Sequence, residues 1–257
     1  MSNGVCTKLS RNIMDQQRLF DYAYKITYLA QNPDLWTLFK NGLVLDTYVK
    51  LNKPWFHDLN INTVIDIGAN VGRTVVTFRK LIPNAKIYAF EPLPSCFETL
   101  KKKTSQIENL TLYNLALGSH CGSENINLSS HAPSSSLLEM DDYHKQAFPF
   151  TSGSTSLQID VVTLDSLAID ISGSLLIKLD VQGYEDKVIK GGFQAFRQAK
   201  IVIIEVSYIQ LYKDQVLFDS LYSTMKDMGL SFAGVLSTLQ DPITGKMIES
   251  DVIFIRS

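Results

Sequence analysis

The sequence predicts an α/β fold, a Rossmann-like, mostly parallel sheet wound by helices and preceded by an N-terminal helical extension. Three observations carry this. An apolar, β-branched stretch around Asp66 (Val64, Ile65, Ile67) runs into two glycines four apart, Gly68 and Gly72, and then into the helix-compatible segment RTVVTFRKLI, which reads as strand, tight turn and helix. Strand-length apolar runs recur at Lys86 to Phe90, Leu110 to Leu117, Leu175 to Asp180 and Ile201 to Glu205, with helix-compatible segments between several of them, the alternation of a parallel sheet. Residues 15–57, by contrast, carry helical periodicity only. The expected division is therefore an extension over residues 1–60 and a catalytic domain over residues 61–257.

At 257 residues and 45% hydrophobic composition the chain can bury one large core. Its formal net charge of −2 gives no strong basic field to recruit nucleic acid or anionic membrane. Cys6, Cys96 and Cys121 are odd in number and lack zinc-site spacing, so neither a disulfide framework nor a structural zinc is expected. The N-terminus lacks the apolar region of a signal peptide, and no apolar run is long enough to span a bilayer. These features predict a soluble, cytoplasmic protein without membrane partners.

The glycine turn specifies a ligand. A dinucleotide fingerprint wants glycines at its first, third and sixth positions, but from Gly68 the third and sixth are Asn70 and Arg73, and the strand contains an acid, Asp66. That carboxylate would repel a pyrophosphate and suits an ammonium or sulfonium, with adjacent backbone N–H groups left for a carboxylate or water. Asn70 tolerates a left-handed turn conformation. D-x-G-x-N-x-G thus reads as a pocket for S-adenosylmethionine.

In the extension, Leu19, Tyr22, Ile26 and Leu29 recur at helical steps, Asn32 and Pro33 punctuate, and Leu35 to Phe39 and Leu43 to Val49 resume the pattern. Two readings stand: helices packed on the sheet, or a lid over the ligand. Past the turn, a helix over Arg73 to Ile82 stops at Pro83, and the strand Lys86 to Phe90 leads to Glu91, about 20 residues beyond the turn, where doubly wound folds place an acid on ribose hydroxyls. The helix Ser95 to Thr104 carries a solvated lysine run. Asn114 and the backbone around Ala116, at the end of the third strand, face the expected adenine position. Asn125 to Leu128 and Leu157 to Val162 alternate like paired strands, and the serine-rich stretch from His131 to Ser156 between them reads as a surface loop. Phe232 to Leu236 and Val252 to Ile255 complete the sheet, with Asp251 just ahead of the last strand.

Asp66, Glu91, Asp180 and Glu205 all fall at predicted strand ends, the edge where open α/β sheets bind ligands. Such a crowd of acids calls for cationic company: a sulfonium, Lys178 or a metal. With DIGANVG (residues 66–72), AFEP (Ala89 to Pro92), NLALG (Asn114 to Gly118), the serines Ser134 to Ser136, IKLDVQGYE (Ile177 to Glu185) and SDVIF (Ser250 to Phe254), the chain from Thr63 onward resembles the FkbM-type methyltransferases. Where the family often carries an acid, this chain has Gln182, which weakens a metal role there. The resemblance implies a seven-stranded class I methyltransferase sheet with an antiparallel last strand, and methyl transfer from S-adenosylmethionine to a hydroxyl of a sugar or secondary metabolite. It implies that Asp66, Gly68, Ala69, Asn70 and Gly72 hold the methionine end, Glu91 beside Pro92 the ribose, and Asn114, Leu115 and Ala116 the adenine. Asp180 would stand beside the transferring methyl.

Asp180 is the first candidate base, with Glu205 and His131 as alternatives. Lys178 needs a partner in a strand interior, supplied by Asp180 or Glu205, and a purely structural ion pair is the competing role. His57, His120 and His144 show no ligand spacing. A divalent metal is chemically admissible among the acids but is not predicted. The rivals are a nicotinamide-dependent oxidoreductase, opposed by the missing glycines and the lack of a Tyr-x-x-x-Lys pair; a nucleic-acid methyltransferase, opposed by Asp180-Val-Gln-Gly183 where an N/D-P-P-Y loop would stand; and a cofactor-binding protein without turnover. The acceptor, a small molecule or glycan, is not specified by any motif.

Overall fold

The structure is a computed structural model that describes residues 19–20, 22–129, 135–148, 155–241 and 244–256. After a helix over residues 22–31 (α1) come three short helices, α2 (Leu35–Lys40), α3 (Leu45–Leu51) and α4 (Pro54–His57). Then follow β1 (Ile61–Ile67), α5 (Arg73–Leu81), β2 (Lys86–Phe90), α6 (Pro94–Lys103), β3 (Leu110–Tyr113), β4 (Ala116–Leu117) and β5 (Gly122–Leu128). The second half runs α7 (Asp142–Ala147), β6 (Thr155–Val162), β7 (Ser174–Leu179), α8 (Glu185–Gly191), α9 (Phe193–Gln198), β8 (Ile201–Ser207), α10 (Phe218–Asp227), β9 (Leu230–Gln240) and β10 (Met247–Arg256).

The main sheet has seven strands in the order β3-β2-β1-β7-β8-β10-β9. Pairings from β3 to β8 are parallel, and β10 is antiparallel to both of its neighbours. The order reverses between β1 and β7, which makes the carboxyl ends of these two strands the switch point of the sheet. This is the seven-stranded, mostly parallel sheet that the sequence predicts. β1, β7 and β8 are buried on both faces, which explains their unbroken apolar runs. Successive residues serve opposite layers. Val64, Leu176 and Ile203 pack with α3, α4 and α5, whereas Ile65, Ile177 and Ile204 pack with α8, α9 and α10.

The predicted third strand is interrupted. β3 ends at Tyr113, and the Asn114 carboxamide donates to the carbonyls of Glu91 (2.8 Å) and Pro92 (3.0 Å). Those two bonds turn the chain out of the main sheet, so Ala116–Leu117 becomes the first strand of a small second sheet, β4-β6-β5, in which β5 and β6 pair antiparallel as expected. Asp251 lies within β10, opposite Glu205, rather than ahead of the strand.

The extension packs on one face of the sheet. Leu29, Leu35, Leu43, Leu45, Leu51 and Phe56 join the same core as Val75 and Phe78 of α5, and the Val44 N–H donates to the Thr77 hydroxyl at 2.9 Å. Lys50 Nζ donates to the Leu236 carbonyl. Leu19, Tyr22 and Ile26, expected on a packed stripe, are exposed instead. None of the described extension residues lines the crevice described below. A Leu51→Ala variant should lose about 2–5 kcal/mol of stability in urea unfolding, as a fully buried core leucine does; a loss below about 1 kcal/mol would mean that the extension is only draped on the domain.

Candidate active site

At the switch point lies a cleft enclosing about 940 Å3 of space, its open mouth included, bounded by the ends of β1, β2, β7 and β8 and by the small sheet. Of the residues singled out in the sequence, Gly68, Asn70, Glu91, Pro92, Leu115, Ala116, Asp180 and Glu205 line it. Asp66, Ala69, Gly72, Asn114 and Lys178 lie behind its walls, and His131 falls outside the described residues.

The glycine turn differs from expectation in an instructive way. Asn70 has φ 50°, as its residue type allows, and Gly68 and Gly72 have φ of 82° and 83°. The missing side chains make room for protein rather than ligand: a Cβ on Gly68 would lie 1.8 Å from the Asp180 carbonyl oxygen, and one on Gly72 would lie 2.6 Å from Leu100 of α6. The turn's N–H groups are also engaged. Those of Gly68 and Ala69 donate to the Phe90 carbonyl, that of Asn70 to Glu91 Oε2 and that of Gly72 to the Ala69 carbonyl. These four N–H groups are thus bonded within the chain. Because the turn folds back on β2 and is bound there, it is a rigid ledge beside the cleft.

Asp66 is fully buried under that ledge, where the Thr74 hydroxyl donates to Oδ2 at 2.5 Å while Oδ1 has no hydrogen-bond partner among the described residues. Burial pushes its carboxyl up to about 6 against the opposing pull of Lys178. It does not line the cleft, so it reaches a ligand only through the ledge. Glu91 does line it. Its carboxylate accepts the N–H groups of Asn70 and Leu93, each at 2.8 Å, which joins the β1 turn to the β2 turn. Each oxygen keeps a second lone pair, enough for a pair of hydroxyls. Burial raises Glu91 to about 7, so a donor-bearing ligand would favour its ionised form.

On the opposite wall a polar cluster surrounds Lys178. Register places Lys178 beside Asp66 of β1, and its ammonium, 6% exposed, lies 2.7 Å from Asp180 Oδ2 and 3.8 Å from Asp251 Oδ1. The partner anticipated in the sequence is thus Asp180, joined by Asp251, and not Glu205. Burial works against the charge on Lys178, but the surrounding acids outweigh it and hold the lysine protonated. Burial likewise works to raise Asp180; Lys178 together with hydrogen bonds from Gln182 and Glu205 overcomes it, and Asp180 stays below the ordinary carboxyl range. Glu205 goes the other way, pushed well up by burial and by the charge of Asp180.

Sequence reasoning missed several members. Gln182 donates from Nε2 to Asp180 (3.0 Å) and Glu205 (2.6 Å) and accepts from the Tyr212 hydroxyl (2.9 Å). Glu249 is buried beside them, raised by burial to about 8, and Ser207 donates to it at 3.0 Å. The i, i+2 alternation of Glu249 and Asp251 along β10 was the signal for the former; the segment around Tyr212 has no periodicity to read. Ser135, Ser136 and Leu137 close the cleft from the inserted region.

The sequence model of the methyltransferase FkbM domain matches residues 66–232, well over half of the chain. The chain belongs to the FkbM methyltransferase family. Methyl transfer is the reaction for which that family is named. The 2-O-methyltransferase NoeI of Sinorhizobium fredii (strain NBRC 101917 / NGR234) is 23% identical over 161 residues, a match spanning 60% of this chain and 66% of that relative. Among solved structures, the precorrin-6y C5,15-methyltransferase of Geobacter metallireducens GS-15 superposes with a TM-score of 0.41 at 15% identity, covering 78% of this chain and 84% of that one. The N-terminal domain of EvdMO1 gives 0.46 at 9% identity, covering 82% and 83%.

This methyltransferase concentrates buried acids whose folded values exceed those of free carboxyls: Asp66 at about 6, Glu91 and Glu185 at about 7, and Glu249 at about 8, each raised chiefly by burial. From about pH 4 to about pH 8 the folded chain therefore holds more protons than the unfolded chain, and stability falls as pH rises. Asp180, held down, contributes the opposite slope only below its ordinary value of 3.8, and the single His144, lowered by burial, offsets part of the effect below its ordinary value of 6.5. The thermal midpoint of the ligand-free protein should be higher at about pH 5.5 than at about pH 8, by at least about 3 °C; a higher midpoint at the alkaline end would show that these carboxyls are not desolvated.

Proposed function

We propose that the protein methylates a hydroxyl of a sugar or other small polyol, using S-adenosylmethionine as donor and Asp180 as the proton acceptor. The observation that carries this is Asp180 itself: it faces the cleft while a buried ammonium 2.7 Å away keeps it ionised. The site fits the donor. Glu91, its carboxylate fixed by two N–H groups and still able to accept, suits ribose hydroxyls; Leu93, Leu115 and Ile126 offer an apolar slot for a base; and the acid wall suits a sulfonium. Asn114 acts on the adenine end indirectly, through the loop it pins.

Bound S-adenosylmethionine supplies an electrophilic methyl and leaves as S-adenosylhomocysteine. The chain's part is to hold the acceptor oxygen in line and to take its proton onto Asp180 as the new O–CH3 bond forms. Lys178 does not face the cleft, and its role is to keep Asp180 charged. Glu205 is poorly suited as the base, because burial and the neighbouring Asp180 favour its protonated form. His131, outside the described residues, enters no step. Among the described residues no group of His, Cys, Asp and Glu is arranged to hold a metal ion. The similarity to NoeI, a 2-O-methyltransferase, supports oxygen as the methylated atom. The acid lining and a net charge of −2 favour a small neutral or cationic acceptor over nucleic acid. Free Cys96 and Cys121, and the absence of any long apolar helix among the described residues, agree with a cytoplasmic site of action.

The test is Asp180→Asn, which keeps the shape and removes the proton acceptor. Conversion of S-adenosylmethionine to S-adenosylhomocysteine against a panel of sugars should fall by roughly 10²- to 10⁴-fold, with the affinity for S-adenosylhomocysteine nearly unchanged in calorimetry. Equal turnover by the variant and the parent would remove Asp180 from the chemistry.

A further inference from the structure

Gln182 combines two features that nothing in its local sequence requires. It is a non-glycine residue in the left-handed region, φ 56°, a conformation that costs free energy and that surrounding contacts must hold. Those contacts are present. The Ser136 hydroxyl donates to its carbonyl at 2.6 Å, and Glu185 Oε1 accepts the N–H groups of Val181 and Gly183, on either side of it, at 3.2 Å each. The backbone so held sends the carboxamide between the two acids of the cleft wall.

The orientation of that carboxamide is determined. Its Nε2 lies 3.0 Å from Asp180 Oδ1 and 2.6 Å from Glu205 Oε2, and only an NH2 group can donate to both. Turned over, the amide oxygen would meet the charged Asp180 carboxylate. Tyr212 guards against this, because its hydroxyl, 2.9 Å away, donates to Oε1. The ring that carries the hydroxyl is 1% exposed and fixed by its own backbone: the Leu211 and Tyr212 N–H groups donate to Gln215 Oε1 (2.9 and 3.2 Å), Tyr212 bridges to Met140, and the His144 ring lies edge-on at 5.2 Å.

We infer that Gln182 and Tyr212 are positioning residues for the proton-accepting step: the Tyr212 hydroxyl fixes the Gln182 carboxamide, whose NH2 holds the Asp180 and Glu205 carboxyls in one orientation, with Asp180 charged and the pair's proton on Glu205. This rests on the reading of Asp180 as the proton acceptor. The alternatives are opposed for different reasons: a second charge by the surrounding acids, and the proton on Asp180 by the Lys178 ammonium 2.7 Å away and the Gln182 donor. Asp180 is faced by Asp66 from β1, Glu91 from the β2 turn, Lys178 from β7, Glu185 from α8, Glu205 from β8, Glu249 from β10 and Tyr212 from the segment after β8; Asp251 of β10 faces Lys178 and Glu205. With one lysine among so many acids, a second full charge at Glu205 would be unbalanced, while the neutral amide donor stabilises the one charge that faces the cleft.

The experiment follows carboxyl titration by 13C NMR in protein labelled at the aspartate and glutamate carboxyl carbons, with Asp180 and Glu205 assigned by the resonances missing in Asp180→Asn and Glu205→Gln. Two variants are compared with the parent: Tyr212→Phe, which removes only the hydroxyl, and Gln182→Met, which keeps the length and removes the donor. In the parent, Asp180 should be ionised at neutral pH with Glu205 protonated. In each variant the proton affinity of Asp180 should rise by about tenfold or more, in protein whose thermal midpoint stays close to the parent's. Unchanged titration of Asp180 in folded variants would overturn the inference, and so would unfolding of both, which would make the pair a structural contact. The readout needs no methyl acceptor, so it can fail while Asp180→Asn still abolishes turnover, and it can succeed if Asp180 proves not to be the base.

Discussion

One buried contact organises this molecule: the Lys178 ammonium against the Asp180 carboxylate at 2.7 Å, at the point where the sheet reverses its order. A lysine in the middle strand of a sheet buried on both faces is costly to desolvate, and a carboxylate that joins it offsets that cost without adding much net stability. What the pair gives is a definite arrangement. It fixes one acid in the charged state at the edge of the cleft, and the neighbouring acids adjust to that charge: Glu205 and Glu249 are driven up in part by Asp180. The raised values of this cluster and the lowered value of Asp180 are two sides of a single electrostatic balance.

The main-chain frame serves the same contact. Gly68 lacks a side chain because the Asp180 carbonyl occupies the space beside it. The Asp180 N–H donates to the Ile67 carbonyl at 3.1 Å. The glycine turn and Asp180 are therefore tied together, and the turn is joined to the end of β2 through Glu91.

Much of this was legible in the residues because strands buried on both faces announce themselves as apolar runs, and β1, β7 and β8 all did. The acids were legible for the same reason: a carboxylate at the end of an apolar run has few structural excuses. What could not be read was direction and partnership. D-x-G-x-N-x-G suggested N–H groups aimed at a ligand, yet those of Gly68, Ala69 and Asn70 go to Phe90 and Glu91 at the end of β2, whose register with β1 is a property of two distant segments. Leu110 to Leu117 looked like one strand because its break depends on the Asn114 carboxamide finding carbonyls at Glu91 and Pro92. Gln182 read as a departure from an acidic position; only the packed structure shows an amide joining two acids under a tyrosine hydroxyl. The extension's helices were legible as helices, but Leu19, Tyr22 and Ile26 show that helical spacing does not say which stripe is covered.

The account's central claim is a distribution of protons, and neutron diffraction from deuterated crystals grown near neutral pH observes it directly. Three deuterons should appear on Lys178 Nζ, none on Asp180, one on Glu205, and two on the Gln182 nitrogen that faces them. Deuteron density on an Asp180 oxygen, with Glu205 bare, would contradict the claim and move the proton-accepting role to the neighbouring strand.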